Sequence, residues 1–401
     1  MVNFGKGNGD SMKFLHLSDL HFGKQLHGYD LAEEQRKCIK DIIEVVKKEQ
    51  PDAVVVAGDI YDRSMPSGNA MALLEELLLG IDKEASQGKP VETMIIAGNH
   101  DSAQRLQYGS SFLKRHHIHI AVLPPQEDGE KLQKVVLMDK YGKVNFYLLP
   151  FVRPGMIRHR VPEGTVLTTE DAVRYLLEQE EIDCSQRNVI VSHQFYVNGG
   201  RQPVTCDSEA PCLTVGGLDR VDTAAIECFD YAALGHIHSP QALGSPQIRY
   251  CGTMYPYSVS EAGQEKSVTV VELQEKGNLE LRFIPFLPKR TVRSIKGTLK
   301  EIADSAQKNG DVSCQDYVKV ILTDEETVDS PKDYLERYYG HILEITIDNS
   351  QTRHILEENT ADIREMTPLE AFEGFFCDVM GRPMKEGEER AFQEILGELE
   401  D

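Results

Sequence analysis

Ala53-Val54-Val55-Val56-Ala57 is a continuous apolar run, too short for a helix and without the alternation of a half-exposed strand. Such a run marks a strand buried on both faces, as in the middle of a parallel sheet covered by helices. Its surroundings agree. Leu31 to Glu49 carries Ile39, Ile42, Ile43 and Val46 at helical spacing, and about Gly68 to Ser86 carries Met71, Leu74, Leu77, Leu78 and Ile81 likewise. Lys13 to Ser18 reads as the preceding strand and Met94 to Ala97 as the following one, so the chain opens with successive strand-helix-strand units of an α/β fold.

These strands run out into polar residues of one chemical kind. The first meets Asp19-Leu20-His21, the second Gly58-Asp59, and the third Gly98-Asn99-His100-Asp101. Later, Asn188 to Ser192 leads into His193, and Tyr231 to Leu234 into Gly235-His236-Ile237-His238. Carboxyl ends of strands are where open α/β sheets place their sites. Side chains at i and i+2 of an extended segment share a side, so Asp19 with His21 is expected to share one cation, and His236 with His238 to give one ligand to each of two ions. Between these stretches the pattern predicts a helix over 104–116 holding Arg105, a hairpin from Val135 to Leu149 and a helix over 170–181. Strands are predicted at Ile248–Cys251, Ser267–Leu273 and Leu279–Phe286.

Asp19, His21, Asp59, Asn99, His193, His236 and His238 together offer carboxylate, imidazole and amide oxygen. That set suits manganese, iron or zinc better than calcium or a closed structural zinc. Thiolates are not expected to contribute: the eight cysteines show no C-x-x-C pair and read as reduced, mostly buried thiols rather than a disulfide framework. Asp59, alone at its strand end, is the natural bridge between two ions, and a bridged dimetal centre suits hydrolysis of a phosphoester. His100 is then surplus to the ligand count and can protonate the departing oxygen, while Asp101 can orient a neighbouring ring. His116, His117 and His119, near a predicted helix end, are not read as a metal site.

The order D-x-H, G-D, G-N-H-D, strand-end His and G-H-x-H resembles that of the calcineurin-like metallophosphoesterases. More narrowly, Leu17-Ser18-Asp19-Leu20-His21-Phe22-Gly23, Gly58-Asp59-Ile60-Tyr61-Asp62, Gly98-Asn99-His100-Asp101-Ser102 with Arg105-Leu106, and Gly235-His236-Ile237-His238 are similar to the SbcD family of bacterial repair nuclease subunits. The likeness is strong to about residue 285 and looser beyond. It implies two facing mixed β-sheets flanked by helices, followed by a smaller α/β cap. It further implies one ion on Asp19, His21, Asp59 and His238 and another on Asp59, Asn99, His193 and His236, with manganese the usual activator. His100 takes the place of the catalytic histidine, supported by Asp101. The implied function is an endonuclease and exonuclease on double-strand DNA ends and hairpins, a homodimer within a heterotetramer with an SbcC-type coiled-coil ATPase. A phosphatase or cyclic-nucleotide phosphodiesterase on the same fold, or a mainly non-catalytic subunit binding DNA ends, are the alternatives.

Residues 1–11 form a polar leader, 12–287 the phosphoesterase domain, and 288–350 a cap read as strand-helix-strand-helix-strand from Arg293 to Ile347. Residues 351–401 complete the division as a linker and two amphipathic helices, Pro368 to Met380 and Lys385 to Leu399; in the resembled family such helices bind the base of the ATPase coiled coil. No run approaches the roughly 18 apolar residues of a membrane span and the polar start lacks a signal core, so a cytoplasmic protein is expected. Residues 321–401 hold 22 acidic and 7 basic side chains, which leaves the front of the chain nearly balanced despite a net charge of -22. With no Trp and no dense basic stripe, this chain alone is expected to bind DNA weakly.

Overall fold

The computed structural model describes residues 11–86, 90–161, 168–209, 219–309 and 313–350, with scattered positions between 352 and 392. The chain divides into two compact units, residues up to 294 with 315–318, and residues 295–314 with 319 onward.

Two six-stranded sheets form the first unit. In spatial order the first is Leu279–Pro285, Ser267–Leu273, Met12–Leu17, Ala53–Ala57, Glu92–Ile96 and Ile118–Ala121. The second is Gln241–Leu243, Ser245–Tyr250, Tyr231–Gly235, Arg187–His193, Gly142–Leu149 and Gln133–Asp139. Both are mixed. In the first, Met12–Leu17 pairs parallel with Ala53–Ala57 and antiparallel with Ser267–Leu273; in the second, Arg187–His193 lies parallel between Tyr231–Gly235 and Gly142–Leu149.

Alternation decides which side chains face which layer. Phe14, Val55 and Met94 from one sheet and Phe146, Val189 and Tyr231 from the other form one buried core between them. Phe14 meets the edges of the Phe146 and Tyr231 rings at 5.2 and 5.7 Å between centroids. Residues of the other parity in the first sheet, Leu15, Val54, Val56 and Ile95, are buried as well, which accounts for the unbroken apolar run. Helix Ala32–Glu49 buries Ile39, Ile42 and Val46, and helix Gly68–Ser86 buries Leu73, Leu77 and Ile81. On the outer side of the second sheet, helix Thr169–Glu178 contributes Ala172, Val173, Leu176 and Leu177 to a core with Tyr147, Ile190 and Ala232. The expected pair of facing mixed sheets flanked by helices is therefore the architecture observed.

Two local expectations fail. The helix over 104–116 is instead two short turns, Ala103–Leu106 and Ser110–Leu113, because Gly109 takes φ 74° and breaks the ladder between them. Cys184 and Cys228, expected as thiols, form a disulfide. They lie just before the parallel neighbours Arg187–His193 and Tyr231–Gly235, which brings their Cα atoms to 5.5 Å although they are 44 residues apart in sequence. Of the others, Cys38, Cys206, Cys251 and Cys314 are free and buried as expected. His117 and His119 both meet the Glu92 carboxylate at 2.7 Å.

Further along the chain lies a three-stranded sheet, Val292–Gly297, Tyr317–Leu322 and His341–Ile347 in that order, with helices Leu299–Asn309 and Pro331–Leu335 in the connections. The two helices expected after Pro368 lie mostly outside the described residues, of which 372–373, 376–377, 387–389 and 392 are helical. Among the described residues no helix is long and apolar enough to cross a membrane.

Candidate metal centre

Parallel register aligns the strand ends. Leu17 pairs with Val56, Ala57 with Ile96, and Gly235 with His193. Beyond those ends the loops are laced together: Asp19 N donates to Gly58 O and His21 N to Asp59 O, each at 3.0 Å. The strands Met12–Leu17 and Tyr231–Gly235 stop before Asp19 and His236, so strand alternation is not what pairs Asp19 with His21 or His236 with His238. Instead Asp19, His21, Asp59 and His236 adopt φ of 50°, 43°, 49° and 98°. Left-handed backbone costs a non-glycine residue about 1–2 kcal/mol, and it persists where surrounding bonds over-determine it, commonly at functional sites. The glycines of the motifs make room. Gly58 has φ 88° and a Cβ there would lie 2.3 Å from His193 Nδ1; at Gly98 a Cβ would lie 2.1 Å from Asp59 Oδ1.

All seven expected ligand residues converge. Asp59 Oδ2 sits 3.3 Å from His193 Nε2 and 3.7 Å from His21 Nε2, between two halves of the cluster. On one side His21 Nε2 and His238 Nε2 face each other at 3.1 Å, with Asp19 alongside. On the other, Asn99 Oδ1 lies 3.1 Å from His193 Nε2 and 3.0 Å from His236 Nδ1. Three overlapping groups, Asp19-His21-His238, Asp19-Asp59-His193 and His21-Asp59-His100, each offer ligand atoms within 4.8 Å of one another. Two imidazole nitrogens turned on each other can share one proton at most, whereas a divalent cation satisfies both. The donor set therefore fits a pair of metal ions with Asp59 between them.

Charge in the cluster is arranged accordingly. Burial, with His193 beside it, keeps the His236 ring neutral, down to about 3, and burial holds His21 well below the ordinary value. Burial acts the same way on His193, but the Asp59 carboxylate outweighs it and raises that ring to about 9. Burial opposes ionisation of Asp59 too, yet His193 and the other rings hold it well below the usual carboxylate range. A buried carboxylate that draws a proton onto a neighbouring imidazole is a place that demands positive charge.

His100 stands apart. Its side chain is 24% exposed while those of His21 and His193 are 1% and 0%. Nδ1 donates to the Asp62 carbonyl at 2.8 Å, which turns Nε2 inward, 3.9 Å from Asp59 Oδ2. Asp101 is placed otherwise than expected. Its carboxylate accepts the backbone N–H groups of Gly98, Ile60 and Tyr61 at 2.9, 3.1 and 3.0 Å, tying the two loops together, and the Asp62 carbonyl holds the His100 ring in its stead. Burial and the nearby Asp59 charge push the Asp101 carboxyl up to about 6.

Several residues behind the centre escaped sequence reasoning. Gln35, in the first helix, donates to His21 O at 2.8 Å. Ser208 meets His238 Nδ1 at 2.7 Å and donates to Glu261, and Glu209 accepts His238 N at 2.7 Å. Lys266 pairs with Glu261 at 2.6 Å. Ser258-Val259-Ser260-Glu261 has the S-x-x-E spacing of a helix start, which is the one signal that could have singled out Glu261.

The fold and this cluster define a metal-dependent phosphoesterase. The family model for calcineurin-like phosphoesterases matches residues 12–240, and the chain belongs to that family. A second match, of the SbcD C-terminal domain, described as the type 5 capsule protein repressor C-terminal domain, covers residues 288–379. Together they make this an SbcD-type chain of the metallophosphoesterase superfamily. Among solved structures it is similar to GAP50, the anchor in the inner membrane complex of Plasmodium, at 12% identity and a TM-score of 0.41, over 86% of this chain and 99% of that one. It is also similar to a dimetal phosphatase from Danio rerio, at 12% identity and a TM-score of 0.35, over 70% of this chain and 100% of that one.

Proposed function

We propose that this chain is the nuclease subunit of a DNA-repair complex. It cleaves phosphodiesters at double-strand ends and hairpins with two manganese ions and works as a dimer with an SbcC-type coiled-coil ATPase. The observation that carries the catalytic part is the placing of Asp59 between two sets of ligand atoms, with His100 Nε2 turned towards it and His100 Nδ1 committed to a carbonyl. The C-terminal family match supports DNA over a small phosphomonoester as substrate and supports the ATPase as partner.

Asp19, His21, Asp59 and His238 would hold one ion and Asp59, Asn99, His193 and His236 the other. Bound divalent ions supply charge neutralisation on the phosphate and ionise water near neutral pH. The protein's own residues do the rest. Asp101 fixes the Asp59 and Asn99 loops against each other through three backbone N–H groups, so the ligands need little rearrangement on binding. His100, partly open to solvent and with Nδ1–H held by the Asp62 carbonyl, would in its doubly protonated form hand the Nε2 proton to the leaving oxygen. The acidic balance leaves few phosphate contacts on this subunit, and the second copy and the ATPase supply the rest of the DNA surface.

Purified protein assayed with manganese on hairpin and linear duplex DNA, and on a chromogenic phosphodiester and phosphomonoester, tests the reading. DNA and the diester should be cleaved and the monoester spared. Preference for the monoester would make it a phosphatase, and DNA binding without cleavage a non-catalytic end-binding subunit. Asp59→Asn should lose bound manganese and activity together with the fold retained; two tightly bound ions and near-normal rates in that variant would remove the dimetal assignment.

A further inference from the structure

Among the described residues, the His238 ring has a buried ion pair, Glu261 with Lys266, hydrogen-bonded behind it through Ser208. Glu261 is fully buried, and its carboxylate accepts from five donors. Oε1 takes the Ser208 hydroxyl, Tyr257 N at 3.1 Å and the Ser258 hydroxyl at 3.2 Å; Oε2 takes Thr253 Oγ1 at 2.9 Å and Lys266 Nζ at 2.6 Å. Lys266 is equally committed, with its other two bonds going to Gln264 Oε1 and His238 O, both at 2.8 Å. The polarity of this network follows from counting protons. A carboxylate surrounded by donors and salt-bridged to an ammonium has no hydrogen to give. The single hydroxyl hydrogen of Ser208 therefore goes to Glu261, and the Ser208 oxygen is left to accept. Its remaining neighbour is His238 Nδ1 at 2.7 Å, which must carry the hydrogen. In the neutral ring, the form that binds a metal, His238 Nε2 is thereby left with its lone pair, facing His21 Nε2 and Asp19.

We propose that Glu261, acting through Ser208, is the positioning residue that locks His238 in the Nδ1–H tautomer and so makes Nε2 a permanent metal ligand. The contrast with the other rings supports a dedicated role. His193 Nδ1 is fixed by a backbone carbonyl, Ala57 O at 2.7 Å, and His21 Nδ1 is buried with no hydrogen bond, its nearest charge being the Asp62 carboxylate at 3.9 Å. Ser208 comes from a stretch held by side chains rather than by regular structure: Asp207 N donates to Ser260 Oγ at 2.8 Å, and Gln241 grips Val204 through both its amide atoms. A carboxylate behind an imidazole ligand also raises the basicity of that ligand, and losing such support typically weakens metal binding about 10–100-fold.

The inference rests on the dimetal reading, and the test separates the two. In metal-free protein labelled with 15N-histidine, the His238 ring should show a protonated Nδ1 and an unprotonated Nε2 in the wild type, and a mixture of tautomers in Ser208→Ala and Glu261→Gln. Manganese titration calorimetry should then show one of two binding steps weakened about 10–100-fold in both variants and the other unchanged. Ser208 lies on a loop and is half-exposed, so Ser208→Ala should keep the wild-type melting temperature and decide the matter even where Glu261→Gln does not fold. Wild-type tautomer and wild-type manganese affinities in Ser208→Ala would overturn the proposal. A wild-type protein that binds fewer than two ions would instead overturn the dimetal reading, with the tautomer measurement still deciding the lock.

Discussion

His100 divides its ring between two jobs, Nδ1 on the Asp62 carbonyl and Nε2 towards Asp59, and it is the one partly exposed ring beside the buried imidazoles of His21, His193, His236 and His238. Its sequence neighbour Asn99 points an amide oxygen between His193 and His236, so one residue of spacing separates the proposed ligand from the proposed proton donor. Protonating a leaving alkoxide is worth about 100- to 10,000-fold in rate. His100→Leu should therefore retain both ions and cleave DNA at least about 100-fold more slowly, with the defect shrinking on a nitrophenyl ester whose leaving group needs no acid. His193→Leu, which removes a fully buried ring from between Asp59 and Asn99, should lose metal. Metal content by elemental analysis and rates on the two substrates decide: a metal-depleted His100→Leu protein would make His100 a ligand, since it does share a ligand-sized group with His21 and Asp59. The residue types of this centre could be read from the chain because imidazole, carboxylate and amide at strand ends are a pattern in one dimension. Asp101's true partners could not, because a carboxylate bonded to backbone N–H groups leaves no second side chain in the sequence to point to it.

Helix Ala32–Glu49 ends on an acidic residue, which opposes the partial negative charge of a helix C-terminus. The structure compensates from two strands: Arg282 in Leu279–Pro285 binds both Glu49 oxygens at 3.1 and 2.6 Å, and Lys13 in Met12–Leu17 approaches to 3.5 Å. The Arg282 guanidinium foremost, against a smaller effect of burial, holds the Glu49 carboxyl below its usual range. A depressed folded value means the stabilisation is fully present above the unfolded value of about 4.3 and is lost as pH falls through the folded one. Arg282 is 40% exposed, so solvent screens the pair. Glu49→Gln should cost about 0.5–1 kcal/mol at pH 7, and the gap from wild type should narrow in acid below about pH 4.3. Urea unfolding at pH 7 and pH 3 reads both, and a gap that persists at pH 3 would mean packing rather than charge. Elements with a long period or an unbroken apolar run were legible in the chain, as the helix over Gly68–Ser86 and the strand over Ala53–Ala57 were. The segment after Asp101 was not, because its apparent periodicity hides Gly109 in a left-handed turn, and the Cys184–Cys228 pairing depends on two strands becoming neighbours.

On the scale of the molecule, every residue of the centre, from Asp19 to Glu261 and Lys266, belongs to the first compact unit. Hydrolysis of a small phosphodiester should need that unit alone, whereas the C-terminal family match runs on to residue 379 and supports a role in recruiting the ATPase. The acid in the chain follows the same division, with 22 of its 65 acidic residues between 321 and 401, outside the stretch of sequence proposed to cleave DNA. A docking segment needs chemistry different from a DNA-cleaving one, and like charge beside the phosphate backbone would oppose binding there. Deleting residues 366–401 should therefore abolish co-purification with the ATPase while leaving manganese stoichiometry and nitrophenyl-diester hydrolysis within about twofold of the full chain. An ATPase that still co-purifies with the shortened protein would move docking to another surface. Loss of diester hydrolysis on truncation would show that the tail contributes to the fold of the catalytic unit, and the separation of cleavage from recruitment would fall with it.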